Sequence, residues 1–231
     1  SAWGERCALE KAAHEKKLEG VIARCGDEPH PLSLVRAIER LAPDTTFFAV
    51  DPGSPAIYSS CFRRIARAGR RAAYNFSMGA LGYAIPAAMG ARCGTAAEAP
   101  VVGLVGDGSF GFCGAELETA ARLGLKIVYV LFNNGAFGWI RGTQRVHTKA
   151  EITPNFRQFT DFAKVDYVKF AESLGLAGCR AESMSEFEAA FRKCLAADGP
   201  CLIDVPLKPE DEQLPPVPGW AAAGSATDTL Y

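Results

Sequence analysis

Four apolar runs punctuate the chain, at residues 46–50, 101–106, 126–132 and 201–205, and each is built mainly from Val, Ile, Leu, Phe and Ala. A strand with one wet face alternates apolar and polar residues, so runs of this kind predict strands buried on both faces. A shorter run at 71–76 predicts one more strand. Helical patterns separate the runs, at 81–92, 115–123, 166–174 and 185–197. The alternation predicts a doubly wound α/β fold, a mainly parallel sheet with helices on both faces. Ligands of such folds bind beyond the carboxyl ends of the strands.

Upstream, PLSLVRAIERLA places Leu34, Val35, Ile38 and Leu41 on one helical face, and Pro31 suits a first helical turn. The opening stretch at 3–23 is rich in Ala, Glu and Lys, with Cys7, Leu18 and Ile22 at roughly helical spacing. It predicts a poorly amphipathic helix. After Val205, PLKPEDEQLPPVPGW has five prolines in fifteen residues and cannot be regular structure. The expected organisation is a linker helix over 1–30, one large domain over 31–207 and a proline-rich tail over 208–231.

Composition narrows the partners. With 25 basic and 26 acidic side chains the chain carries no electrostatic footprint for nucleic acid or an anionic membrane. No apolar run approaches the ~20 residues of a membrane span, and the start lacks the apolar core of a signal peptide. The eight cysteines, Cys7, Cys25, Cys61, Cys93, Cys113, Cys179, Cys194 and Cys201, form no CxxC pair and fit neither zinc nor iron-sulfur spacing. They read as reduced thiols of a cytoplasmic protein. Small molecules and protein remain as partners.

The candidate chemistry lies in two loops. GDGS at 106–109 follows one buried run, and NN at 133–134 follows the next. Gly106 and Gly108 are expected to allow a sharp turn and close backbone approach, leaving Asp107 at the strand end as a hard oxygen ligand. Asn134 offers a second hard oxygen from the adjacent loop. An aspartate, an amide oxygen and two phosphate oxygens suit an octahedral Mg²⁺ ion. Gly, Asp, Ser and Asn also dominate ordinary turns, so either loop alone would say little.

Together, at this spacing, GDGS and NN resemble the thiamine diphosphate (ThDP) motif of the acetolactate synthase and 2-oxo acid decarboxylase superfamily. The similarity covers about 31–220, and FGWIRGTQR and VDYVKFAESLG look most like acetolactate-synthase-type proteins. It implies that Asp107, the Asn134 side chain and the Ala136 carbonyl hold Mg²⁺, with Gly106, Gly108 and Ser109 around the diphosphate. DPGSPAIYSS at 51–60 resembles the family's earlier diphosphate loop, which implies Gly53 and Ser54 near the terminal phosphate. GALGYAIPAAMGA at 79–91 resembles the segment under the cofactor's middle. There Leu81 would bend the cofactor into a V, and backbone groups of Gly79 and Leu81 would bond the aminopyrimidine. By periodicity alone Leu81 is an ordinary core leucine opening a helix.

Beyond the metal loop, Phe137, Trp139 and Ile140 are expected as an apolar wall, Phe137 against the cofactor. Arg141, Gln144, Arg145 and His147 could meet a substrate carboxylate or lie on a solvated helix face. His14 and His30 show no constellation.

The family's catalytic glutamate belongs to a pyrimidine-binding domain that these residues do not contain. The resemblance therefore implies one subunit of a split enzyme, or a fragment of a longer chain; the helix at the start and the long tail favour the subunit. The expected assembly is a hetero-oligomer, minimally two of each chain, acting on a small 2-oxo acid by decarboxylation with carboligation. A simple decarboxylase of the sulfopyruvate or phosphonopyruvate type, or a non-catalytic ThDP-binding regulatory subunit, are the alternatives.

Overall fold

A computed structural model of the chain describes residues 1–64, 71–148 and 157–208. In chain order the elements are α1 (Ala2–Cys25), α2 (Pro31–Leu41), β1 (Phe47–Val50), α3 (Ser54–Phe62), β2 (Arg71–Tyr74), α4 (Ala84–Gly94), β3 (Val101–Gly106) and α5 (Asp107–Cys113). A 3-10 turn (Gly114–Glu116), α6 (Leu117–Arg122), β4 (Val128–Asn133), α7 (Gly138–Thr148), α8 (Tyr167–Ser173), β5 (Ala177–Arg180), α9 (Met184–Leu195) and β6 (Cys201–Pro206) follow. The six strands form one sheet in the order β2-β1-β3-β4-β6-β5. Every pairing is parallel.

Both faces of the sheet are covered, which is why its strands read as unbroken apolar runs. Along β4, Val128, Val130 and Phe132 enter the core with α2 and α9, whereas Tyr129 and Leu131 enter the core with α4, α6 and α8. Period-two alternation therefore distributes side chains between two dry cores rather than between core and water. Gly103 in β3 has its own reason. A β-carbon there would lie 2.8 Å from the Tyr129 ring of the neighbouring strand, so the glycine leaves room for that side chain.

Helix α2 shows how a start signal works in three dimensions. His30 Nδ1 accepts the Leu32 amide at 3.1 Å, and Pro31 follows where a missing N–H costs nothing. The imidazole also packs edge-on against Tyr58, centroids 5.8 Å apart. By contrast α1 buries only Leu18 and Val21 and leaves Trp3 and Leu9 exposed, in keeping with its weak amphipathic pattern. Its Glu15 pairs with Arg36 of α2 at 2.9 Å and with Arg64.

Three boundaries depart from the sequence reading. The edge strand β5, AGCR, contains no apolar run and is half exposed, so pattern alone did not mark it. DPGSPAIYSS is a loop only to Gly53, with α3 beginning at Ser54. The helix expected from residue 81 begins at Ala84, because Gly79 and Gly82 take φ of 62° and 84°, values a helix does not accept. The tail over 209–231 lies outside the described residues.

Candidate cofactor site

The chain passes from β1 out to β2 and then returns to place β3 on the other side of β1. This reversal opens a crevice at the carboxyl ends of β1 and β3, the place where α/β sheets receive ligands. A cavity of about 380 Å³ lies there. Gly53 and Ser54 reach it from the end of β1, Gly79 and Leu81 from the turn before α4, and Gly106, Asp107, Gly108 and Ser109 from the end of β3. Asn134, Ala136 and Phe137 complete it from the end of β4.

One carboxylate joins the two loops that the sequence singled out. Asp107 is 4% exposed; its Oδ1 accepts the Gly108 amide at 2.8 Å and its Oδ2 the Gly135 amide at 2.6 Å. The second bond crosses from GDGS to the NN loop and brings Asn134 beside Asp107. Gly135 has φ 71°, the turn that allows its amide to point back. Asn134 Oδ1 accepts the Ala136 amide at 3.0 Å within the same turn. Carboxylate and amide oxygens each accept more than one bond, so these contacts orient the two oxygens without exhausting them.

The glycines of GDGS act differently from the expected sharp turn. Gly106 is extended, at φ −86° and ψ 151°, and neither it nor Gly108 has positive φ. Gly108 already belongs to α5, and a β-carbon on it would meet the Phe137 ring at 2.8 Å. Its smallness allows that ring to close on the helix. Phe137 in turn packs edge-on against Phe162, with centroids 4.6 Å apart.

Asp107 is the sole ionisable side chain among the described residues lining this cavity. A diphosphate placed there meets one carboxylate and, among the described lining residues, no cation, so a bound metal ion would balance its charge. The Asp107 and Asn134 oxygens suit a hard divalent ion that keeps phosphate oxygens in its shell. Ser109, buried beside the Asp51 carboxylate, also lines the cavity with a hydroxyl that suits a phosphate oxygen in chemistry. These residues fit a metal-bound diphosphate. Among the described residues no cluster of three His, Cys, Asp or Glu could hold a metal alone.

Leu81 is half buried on the cavity wall, outside any helix, rather than a core leucine. Phe76, Trp139 and Ile140 extend the wall as an apolar surface. Arg141 does not face the cavity. Its guanidinium is buried and bonds Asp161 at 2.7 Å, so it anchors the segment before α8 instead of offering a substrate contact. Gln144 is exposed and away from the cavity, and the side chains of Arg145 and His147 lie outside the described ones.

Asp51 went unassigned in the sequence although it stands in the DPGS loop. It is fully buried, and its Oδ1 accepts the amides of Tyr83 and Ala84 at 2.8 and 3.0 Å. Burial pushes its carboxyl up to about 6 despite the backbone amides that favour the charged form. An aspartate before a Pro-Gly turn was the available signal, but the turn itself explained it.

An all-parallel α/β sheet with a cavity of cofactor size at its strand reversal defines a cofactor-binding domain. Residues 51–205 match the thiamine pyrophosphate enzymes' C-terminal TPP binding domain, and the chain belongs to that family. Acetolactate synthase of Bacillus subtilis (strain 168) is 35% identical over 185 residues, which are 80% of this chain and 31% of that protein. The chloroplastic acetolactate synthase 1 of Nicotiana tabacum is 27% identical across 96% of this chain and 33% of its own length. A thiamine diphosphate-dependent 4-hydroxybenzoylformate decarboxylase of Rhodococcus jostii RHA1 shares the fold with a TM-score of 0.69 and 30% identity, over 79% of this chain and 33% of that one. The chain thus spans about a third of the length of these relatives. No helix among the described residues is long and apolar enough to cross a membrane.

Proposed function

We propose that this chain is the diphosphate-binding half of a ThDP-dependent enzyme that decarboxylates a small 2-oxo acid and joins the remaining fragment to a second carbonyl. The observation that carries the reading is the Asp107–Gly135 bond, which sets Asn134 beside Asp107 in a cavity with Gly53, Ser54 and Ser109 also on its wall. Asp107, Asn134 and the Ala136 carbonyl would hold Mg²⁺, and Ser109 and the neighbouring glycines the diphosphate. Leu81 and Gly79 would support the aminopyrimidine. When bound, ThDP supplies the nucleophilic carbon and the electron sink that 2-oxo acid chemistry needs.

The chain's own part is to bind, orient and keep dry. Phe76, Phe137, Trp139 and Ile140 would give the substrate side of the cavity an apolar wall. Among the described residues lining the cavity Asp107 is the one ionisable side chain, and its two oxygens take backbone amides. The proposed source of the proton chemistry is a pyrimidine-binding domain with its glutamate, carried by a partner subunit in a hetero-oligomer. The similar decarboxylase structure favours a simple decarboxylase as the second reading; product analysis of the complex, acetohydroxy acid against aldehyde, decides between them.

Titration calorimetry tests the site directly. The chain is expected to bind ThDP only with Mg²⁺, and Asp107→Ala to weaken that binding by about 100-fold, as loss of a metal ligand should. Unchanged cofactor affinity in Asp107→Ala would remove the metal assignment.

A further inference from the structure

Two segments far apart in sequence line the cavity, the Gly53–Ser54 loop and the Gly79–Leu81 turn, and on the ThDP reading they meet opposite ends of the cofactor. Asp51 touches both. It begins the first loop by covalent connection, and through Oδ1 it holds the Tyr83 and Ala84 amides that follow the second. Gly53 and Gly82 have φ of 94° and 84°, so each segment turns sharply next to this carboxylate. Its other oxygen, Oδ2, is buried as well, and the Ser109 hydroxyl, which lines the cavity, lies beside the carboxylate. A fully buried carboxylate is expensive if capping α4 is its whole purpose, since a serine or asparagine caps a helix with less desolvation.

We infer that Asp51 is a positioning residue that sets the span of the cofactor cradle, holding the Gly79–Leu81 turn at a fixed distance from the Gly53–Ser54 loop and from Ser109. The inference rests on the reading of this cavity as a ThDP site. It makes Asp51 matter for a ligand that reaches both ends at once and much less for one that fills the phosphate end alone. Inorganic pyrophosphate is such a short ligand.

The test is calorimetry of the full-length chain with Mg²⁺, titrated with ThDP and separately with pyrophosphate. Asp51→Ala is expected to lower ThDP affinity by about tenfold or more, the effect of losing charge-assisted hydrogen bonds, while pyrophosphate affinity changes less than about threefold. Asp51→Asn retains an acceptor oxygen at the same reach, and restores ThDP affinity to within about threefold of the parent. A purely structural cap would lower the unfolding midpoint without separating the two ligands. Equal losses for both ligands, or none for either, overturn the inference while leaving the cofactor reading intact. A parent chain that binds pyrophosphate but not ThDP overturns both. Should Asp51→Ala fail to fold, Asp51→Ser, whose shorter side chain reaches fewer amides, is read by the same split.

Discussion

The Phe137 ring occupies the space where a side chain on Gly108 would begin, 2.8 Å from the position of its β-carbon. Both residues line the cofactor cavity, so their contact couples helix α5 to the turn after β4. A methyl group at 108 must push the ring outward, and Phe162, edge-on to that ring and 3.4 Å from the same β-carbon position, leaves little room for the shift. Gly108→Ala is therefore expected to destabilise the fold by about 1–3 kcal/mol through overpacking and to weaken ThDP binding by about tenfold. Gly111→Ala, in the same helix with open space around it, is the control and should leave both unchanged or slightly improved. Urea unfolding and calorimetry on the two variants check this.

His30 makes stability depend on pH. Burial depresses its pKa to about 4 from 6.5, and only the neutral ring can accept the Leu32 amide. The unfolded chain takes up this proton near pH 6.5 and the folded chain only near 4, so the contribution is complete above 6.5 and is lost as pH falls toward 4. The loss amounts to about 3 kcal/mol at most. Asp51 works in the opposite sense, because its raised carboxyl binds a proton in the folded state first. His30→Asn keeps a capping side chain and the Asp51 contribution but does not titrate. Urea melts at pH 7 and pH 4.5 should show the parent losing more stability than the variant. Equal losses would mean that His30 is not neutral in the fold.

The Arg141–Asp161 pair gives a third prediction. Removing Asp161 takes a carboxylate away from a guanidinium whose side chain is 3% exposed, whereas Asp161 itself is 33% exposed and screened in part by water. Asp161→Ala is expected to cost about 2–4 kcal/mol, and the double variant Arg141→Met with Asp161→Ala to recover much of it, because a buried ion without its partner is the costly state. Chemical denaturation of the single and double variants measures the difference. An unchanged single variant would show that Arg141 is held by other groups.

The sheet was readable from the chain itself because each central strand is buried on both faces, and that burial selects unbroken runs such as KIVYVLF. Edge strand β5 was unreadable for the converse reason: Ala177 and Arg180 are exposed, so nothing in AGCR had to be apolar. GDGS and NN stood out by residue type and by their place after buried runs, and it was their resemblance to the ThDP motif that pointed to a diphosphate site.

Pattern could not decide which atoms meet. The bond from Asp107 to Gly135 spans 28 positions and depends on β3 and β4 being neighbours in the sheet. Arg141, plausible in sequence as a carboxylate contact, is turned by α7 toward Asp161, and Leu81, plausible as a core leucine, is left on the cavity wall by the two glycine turns around it. The sequence by itself determined the fold class, the family and the residue types of the site, since burial and ligand chemistry act on each residue where it stands. Tertiary structure alone decided which side chains face the cavity and which brace it, because that depends on strand order and on contacts such as Asp51 to Ala84 that no local pattern encodes.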